Sequence, residues 1–469
     1  MSALPNNGPR FSADVCVLGG GPAGAAAALR LAQLGHRVCV VERGGPRSTP
    51  AGVSLPPSVL PMLDLLGVQR TVAAAGFLRP PPALVHWHGM AQPADAAPGL
   101  AGFQVDRAHF DRLLLQAAQG AGVQLLHEAA LQPQRRLQAQ AEGWSVPLAG
   151  GGHIDAHCVI DARGRRGTAQ GPRTVALMAR WHRGEADAVF DPRTRVQASH
   201  EGWAWLAPMA DGSTVVAVFV DAQRCARLGP VDRQALHDQL LAPLDLLQPA
   251  LKGCSRRPVQ ACDATPRSVQ DAAPQPGLLL VGEAAFSIDP LSSQGVPAAL
   301  RSAWQAAACV HTARHRPAHA ALAWQFHRQQ SQRTAQRHQH LAARFYAAAA
   351  QVSDHPFWHS RAGQPAPPSD AAAWPGLDDT IALDSRARWC DLPVLEGEWV
   401  VARDALDHPA LDCPVAFLAG QPASAWLQAL QGAPRLRDLL DAWHRRFGAA
   451  TTQAIWPWLW QQGLLQART

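Results

Sequence analysis

Residues 14–43 read DVCVLGGGPAGAAAALRLAQLGHRVCVVER. The short apolar run 15–18, bounded by polar and glycine residues, predicts a buried strand. Gly19, Gly21 and Gly24 follow in G-x-G-x-x-G spacing, and the Ala/Leu-rich run 25–34 is a good helix former ended by Gly35. A second apolar run, 38–41, leads into Glu42 and Arg43. The spacing has a physical reason: the first glycine makes a tight turn, the second lets a pyrophosphate approach the backbone, and the third lets helix and strand pack closely. Pro22 and Ala23 open the helix, whose N-terminus offers unpaired N–H groups and partial positive charge to phosphates. Glu42, at the end of the second strand, can accept hydrogen bonds from ribose hydroxyls. An acid there disfavours NADP and leaves FAD and NAD open. With strand, helix, second strand and acid in register, the expectation is a nucleotide-binding βαβ unit rather than a glycine-rich turn.

Working outward, 469 residues that are 47% hydrophobic suffice for roughly two or three domains with real cores. The net charge of +6 is scattered, without a Lys/Arg block, so no nucleic-acid partner is expected. Nine cysteines include no C-x-x-C pair, and Cys16, Cys39, Cys158 and Cys309 lie in apolar runs that suit small buried thiols. No metal site is expected. Neither a leader pattern nor a membrane-length apolar run is visible, so the expectation is a cytoplasmic protein without a membrane span.

Residues 52–57 read as a loop over the cofactor or a plain surface connection. Leu60, Leu63, Leu65 and Leu66 fit a short helix closed by Gly67. The proline-rich stretch 75–103, with a strand-like piece at 83–88, suits a substrate domain inserted into the nucleotide fold. FQVDRAHFDRLLLQAA (103–118) reads as a strand end and a helix with Phe110, Leu113, Leu114 and Ala117 on one face. Arg107 at its start can reach phosphate or ribose. Strand-like pieces at 123–127, 144–148 and 153–160 follow, the last running into VIDARG, a second place where the sheet can meet the cofactor. Alternation at 174–181, 202–207 and 213–221 predicts an antiparallel sheet with one buried face. Trp203 and Trp205 in GWAWLAP share a strand face, lining a pocket or filling a core.

The apolar strand 278–281 runs into GEAAFSIDPLSSQGV (282–296). The strand ends at Gly282 and Glu283, a loop carries Asp289, Pro290, Ser292 and Ser293, and a helix begins near Gly295 and Val296. Its positive end would stabilise the negative charge a flavin gathers on reduction. Glu283 and Asp289 are acceptors for ribityl-type hydroxyls. His315, His319 and His327 stand among Gln and Arg without acids, which reads as a solvated helix. The Pro/Ala/Ser-rich stretch from 354 reads as a linker. The last segment is rich in tryptophan (Trp399, Trp426, Trp443, Trp456, Trp458, Trp460), with a strand at 398–403 and helices at 423–430, 436–447 and 451–463. It reads as a small winged-helix-like module whose aromatics form a core or a partner surface.

GGGPAG with Glu42, VDRAHFD, VIDARG and VGEAAFSIDPLSSQG together resemble the superfamily of FAD-dependent monooxygenases, tryptophan-halogenase-like flavoproteins and geranylgeranyl reductases, over about residues 13–350. The resemblance implies an α/β protein: a glutathione-reductase-type FAD-binding Rossmann domain (13–74 with 104–168 and 271–350) with an inserted antiparallel-sheet substrate domain (75–103 with 169–270). A linker (354–383) and a small α+β winged-helix-like C-terminal domain (384–469) follow. It implies FAD held by Gly19, Gly21, Pro22, Ala23, Gly24, Glu42, Arg43, Arg107, Gly282, Glu283, Asp289, Gly295 and Val296. Trp203, Trp205, Pro290, Ser292 and Ser293 are pocket candidates, and no general base is assigned. Molecular oxygen is the implied co-substrate, with electrons from NAD(P)H or a separate reductase.

Two departures from the family pattern matter. Glu283 stands where the strand-end Gly-Asp pair has Asp. GWAWLAP resembles the halogenases' W-x-W-x-I-P stretch, yet those enzymes need an early lysine and the only lysine here is Lys252, which argues against halogenation. SLPPSVLPMLDLLG and DPLSSQGV look most like the flavoprotein monooxygenases that mature tryptophylquinone enzymes, and the C-terminal segment is similar to winged-helix peptide-recognition modules. The expected activity is hydroxylation of an electron-rich aromatic ring, foremost a tryptophan of a peptide or protein docked through the C-terminal domain, during tryptophylquinone biogenesis. The rival readings are a geranylgeranyl-reductase-like saturase, a small-molecule aromatic hydroxylase and a non-catalytic peptide-binding flavoprotein.

Overall fold

In the computed structural model, residues 9–44, 52–88, 101–130, 134–138, 141–184, 190–269, 275–363 and 373–468 are described. The chain divides into two compact units, 1–311 with 327–365, and 312–326 with 366–469.

The first unit is built on a seven-stranded sheet. Its central strand Arg10–Leu18 lies parallel to Val38–Glu42 on one side and to His153–Asp161 on the other. Gln124–His127 and Leu278–Leu280 extend it in the same sense. These strands are continuous apolar runs because both faces of a parallel sheet are covered; Val15, Cys16, Val17 and Leu18 have no exposed surface. The register pairs Leu18 with Val41 and Asp161, so Gly19, Glu42 and Ala162 emerge at one edge. The helix Pro22–Gln33 starts there with proline at its first position, where no backbone donor is lost. Helix Arg107–Gly120 packs against it, with Phe110, Leu114 and Ala118 buried and Leu113 and Ala117 only half-buried. Residues 52–55, expected as loop, are the strand Gly52–Leu55, paired antiparallel with Phe103–Asp106.

The second sheet runs in the order Cys254–Arg256, Thr174–Arg183, Thr214–Asp221, Gly202–Pro208, Arg195–Ala198, Leu84–His86, with Gln260–Asp263 also on Thr174–Arg183. The expectation of one buried face is corrected: Thr214–Val220 is buried throughout. Val216, Val218 and Val220 meet Leu236, Leu240 and Leu241 of helix Pro230–Leu241. The opposite face, with Trp203, Ala217 and Phe219, is covered by Tyr346, Phe357 and Trp358. Residues read as linker supply part of that cover, since Pro356–His359 is a helix with Phe357 and Trp358 buried; Thr380–Leu383, also read as linker, is a strand of the second unit. Residues 364–372 of that stretch lie outside the described residues.

The second unit is α+β. Thr380–Leu383 pairs with Leu465–Arg468, and Arg388–Glu396 forms a hairpin with Trp399–Asp407. Of these only the strand near 398–403 is legible beforehand. Helices Ala423–Leu427, Leu436–Phe447 and Ala449–Gln461 enclose Trp426, Trp443 and Trp460. Trp426 stacks on Phe447 at 3.9 Å between centroids and donates its indole N–H to Leu418 O. Trp426→Ala leaves a large cavity beside an orphaned carbonyl and is expected to cost about 3–5 kcal/mol, read as a lower denaturation midpoint by tryptophan fluorescence.

Candidate functional site

The carboxyl edge of the parallel sheet opens into a cavity of about 580 Å³ that reaches the aromatic face of the second sheet. At its nucleotide end, Gly19 has φ 99°, and a Cβ there would lie 2.7 Å from Ala162 O. A Cβ on Gly24 would lie 1.8 Å from Gly19 O, so only glycine permits this turn against this helix. Glu42 accepts a hydrogen bond from Gly20 N. Arg107 lines the cavity from the first turn of its helix, which Asp106 caps by accepting from His109 N, and Asp111 steadies the guanidinium at 3.1 Å. Arg163 and Arg165 line it as well. The buried Asp161 holds Arg163 at 2.7 Å and Arg166 at 3.2 Å, and Arg165 meets Glu283 at 3.4 Å.

Ile288, Pro290, Ser293, Gly295 and Val296 form another wall. Ser293 adopts a left-handed φ of 51°, which turns the chain into helix Gly295–His315. Met178, Trp203, Trp205 and Phe219 form the aromatic end, with Trp203 stacked on Phe219 at 3.8 Å between centroids. Asp263 lines the cavity too. Burial acts to raise its carboxyl, but hydrogen bonds from Thr265 and Arg267 outweigh it and hold it at about 2.

Among the residues expected at the cofactor, Gly19, Gly21, Pro22, Ala23, Glu42, Arg107, Glu283, Gly295 and Val296 line this cavity. Gly24 and Gly282 stand behind its wall as packing glycines; a Cβ on Gly282 would lie 2.7 Å from Ala23 Cβ. Arg43 is exposed and outside the lining. Asp289 is corrected: it is buried behind Pro290, accepting from Leu291 N at 3.0 Å and from the Tyr346 hydroxyl at 2.9 Å. Burial pushes its carboxyl up, against those two hydrogen bonds and the nearby Arg361. Trp203, Trp205, Pro290 and Ser293 line the pocket, whereas Ser292 turns its hydroxyl to Asp289 O at 3.4 Å.

Sequence reasoning passed over Arg163, Arg165, Phe219 and Asp263. VIDARG carried the signal for Arg163, at a strand end already assigned to the cofactor; Phe219 is opposite Trp203 only through strand register. His327 is not a solvated residue. Its ring nitrogen lies 2.8 Å from Leu280 O, and burial lowers its pKa from 6.5 to about 4.

The cavity fits FAD: a glycine cradle with no room for side chains, arginines toward a diphosphate, an acid at the second strand end, and a volume in the range of small-molecule sites. The tryptophan halogenase profile matches residues 90–374, and that of FAD dependent oxidoreductases matches residues 14–54. The chain belongs to the tryptophan halogenase family. It is an FAD-dependent oxidoreductase, with FAD as its cofactor. Tryptophan 2-halogenase of Chondromyces crocatus is 30% identical over 321 residues, 64% of this chain and 61% of that protein. The flavin-dependent halogenase armH5 of Armillaria mellea is 26% identical over 66% of each chain. The chain thus spans less than two thirds of either relative. Among solved structures, the halogenase CmlS shares the fold (TM-score 0.79, 21% identity, 97% of this chain and 96% of that one). The peptidyl tryptophan dihydroxylase QhpG, essential for tryptophylquinone cofactor biogenesis, is 28% identical with a TM-score of 0.69, over 97% of this chain and all of that one. Among the described residues no helix is long and apolar enough to cross a membrane.

Two outcomes follow from the geometry. Gly24→Ala is expected to weaken FAD retention at least about tenfold, about 1.4 kcal/mol, read as flavin absorbance per protein after desalting. His327 binds its proton far less readily folded than unfolded, so stability present above pH 6.5 is lost as the pH falls toward about 4. His327→Gln, which keeps a donor for Leu280 O, should flatten the fall in denaturation midpoint across that window.

Proposed function

We propose that this protein is an FAD-dependent monooxygenase that hydroxylates an electron-rich aromatic ring, foremost a tryptophan of a peptide or protein in tryptophylquinone biogenesis. The observation that carries the reading is one continuous cavity joining the glycine cradle to the wall of Met178, Trp203, Trp205 and Phe219. An indole matches that wall in shape and polarity, and stacking and edge contacts would hold its plane. The likeness to a peptidyl tryptophan dihydroxylase over the whole chain supports it.

Residues 19–24 and the start of helix Pro22–Gln33 would hold the pyrophosphate, Glu42 the adenosine ribose, and Arg107 and Arg163 the phosphate charge. Bound and reduced, FAD supplies with molecular oxygen an electrophilic oxygen atom. The chain's own contribution is to orient the ring and exclude water: Trp203 is 2% exposed and Ala217 1%. The N-terminus of helix Gly295–His315 offers unpaired backbone donors to negative charge at this wall. Electrons come from NAD(P)H or a separate reductase.

Halogenation is the second reading, favoured by the family match and by the relatives' names. Against it, the only lysine, Lys252, is exposed and lies outside the cavity lining. Incubating FAD-loaded protein with a reductase, a tryptophan peptide, chloride, bromide and isotopically labelled oxygen gas separates the two. The expected product carries labelled oxygen on the indole by mass spectrometry; a halogenated product would make the halogenase reading the correct one.

Peptide docking through the second unit is part of the proposal. Trp374, Leu377 and Trp389 are 56%, 57% and 47% exposed there, apolar surface of the kind peptides cover. Trp389→Ala is expected to raise KM for a peptide several-fold and to leave turnover of a small free indole unchanged.

A further inference from the structure

Trp203 belongs to two surroundings. It lines the cavity, and its ring lies 6.0 Å from that of Trp87. Trp87 is 6.4 Å from Tyr346 and 5.5 Å from Trp358, and Tyr346 and Trp358 are 6.0 Å apart. None of the four is more than 7% exposed. Tyr346 is the sole tyrosine of the sequence, against 16 tryptophans. Its hydroxyl donates to Asp289 Oδ2 at 2.9 Å. The Trp203 indole N–H sits near the same hydroxyl, outside full hydrogen-bonding geometry.

Packing alone does not account for this pair. Phenylalanine would fill the space without burying a hydroxyl and a carboxyl group, both costly to remove from water. Together they have a chemistry that neither has alone. A phenol gives up an electron readily only when its proton leaves at the same time, and a carboxylate in hydrogen-bond contact can receive that proton. Burial, which raises the proton affinity of Asp289, makes its ionised form the stronger acceptor.

We propose that Trp203, Tyr346 and Asp289 form a one-electron drain that carries oxidising equivalents away from the cavity wall. The oxidant is an oxygen-centred radical released when reduced flavin meets oxygen with no substrate in place. Trp203 loses one electron to it. Tyr346 returns one electron to Trp203 and passes its phenolic proton to Asp289, so the oxidant is reduced by one electron and Tyr346 becomes a neutral phenoxyl radical. A thiol- or ascorbate-class reductant restores the electron, and Asp289 returns the proton. Trp87 and Trp358 extend the path toward the half-buried His88, whose ring is 5.8 Å from that of Trp358. The drain depends on FAD being bound and not on which substrate is oxidised, so it stands or falls separately from the hydroxylation reading.

The test uses FAD-loaded full-length protein without oxygen or substrate, irradiated in the flavin band with a cobalt(III) ammine present, then frozen for electron paramagnetic resonance. Light makes the bound flavin the oxidant of Trp203, and cobalt takes the electron on. The wild type is expected to give a tyrosyl signal, which Tyr346→Phe converts to a tryptophan signal. Trp203→Phe should lower the tyrosyl yield several-fold at equal FAD content, and Asp289→Asn should leave tryptophan radicals in its place. A wild type without a tyrosyl signal, or a yield indifferent to Trp203→Phe, overturns the proposal. Should Trp203→Phe or Asp289→Asn lose FAD, peptide mapping of wild type and Tyr346→Phe after aerobic cycling without substrate decides it. Oxidation concentrated at Tyr346, shifting to Trp203 when Tyr346 is replaced, supports the drain; damage unchanged by the substitution refutes it.

Discussion

Gly24 can lie against the carbonyl of Gly19 only because it has no side chain, and that contact sets the rest of the site. It brings the helix Pro22–Gln33 down onto the first strand, so that its unpaired N–H groups face the space beyond the sheet edge. Gly19, in a backbone region that favours glycine, packs closely on Ala162, tying the loop after Arg10–Leu18 to the one after His153–Asp161. A surface suited to a diphosphate thus comes from backbone geometry, with arginines added at its rim.

Charge at that rim is ordered rather than merely abundant. Asp161, 3% exposed, fixes Arg163 and Arg166, and Asp111 fixes Arg107, so the guanidinium groups are held before any anion arrives. Preorganisation of this kind reduces the ordering cost of binding. Beyond the rim the surroundings turn apolar. The second sheet is buried on both faces, and its aromatic face closes the cavity with rings packed by Tyr346, Phe357 and Trp358. Polar binding end and dry aromatic end therefore belong to one compact unit.

Where local chemistry dictates structure, the sequence was readable. The nucleotide loop, the strand–loop–helix at 278–296 and the alternating strands 174–221 all stand near their expected places, because glycine spacing and hydrophobic period act over a few residues. Contacts between distant segments were not readable. Asp289 reads locally as available to a ligand, yet Tyr346, far along the chain, donates its hydroxyl to it. The stretch from 354 has a linker's composition, yet Phe357 and Trp358 are core residues. His327 sat in a polar run and is nonetheless bound to Leu280 O. Phe219 entered the site through register with Trp203, which no window of sequence displays.

FAD is proposed to lie in one cavity, with its pyrophosphate at the glycine cradle and its redox-active ring toward Trp203 and Val296. A crystal structure of the FAD-loaded protein tests this most directly. Density is expected for the diphosphate against residues 19–24 beside Arg107, and for the ring system between the turn at Ser293 and the wall of Trp203 and Phe219. A flavin ring lying outside the cavity, or an adenine end seated against Trp203, would contradict it.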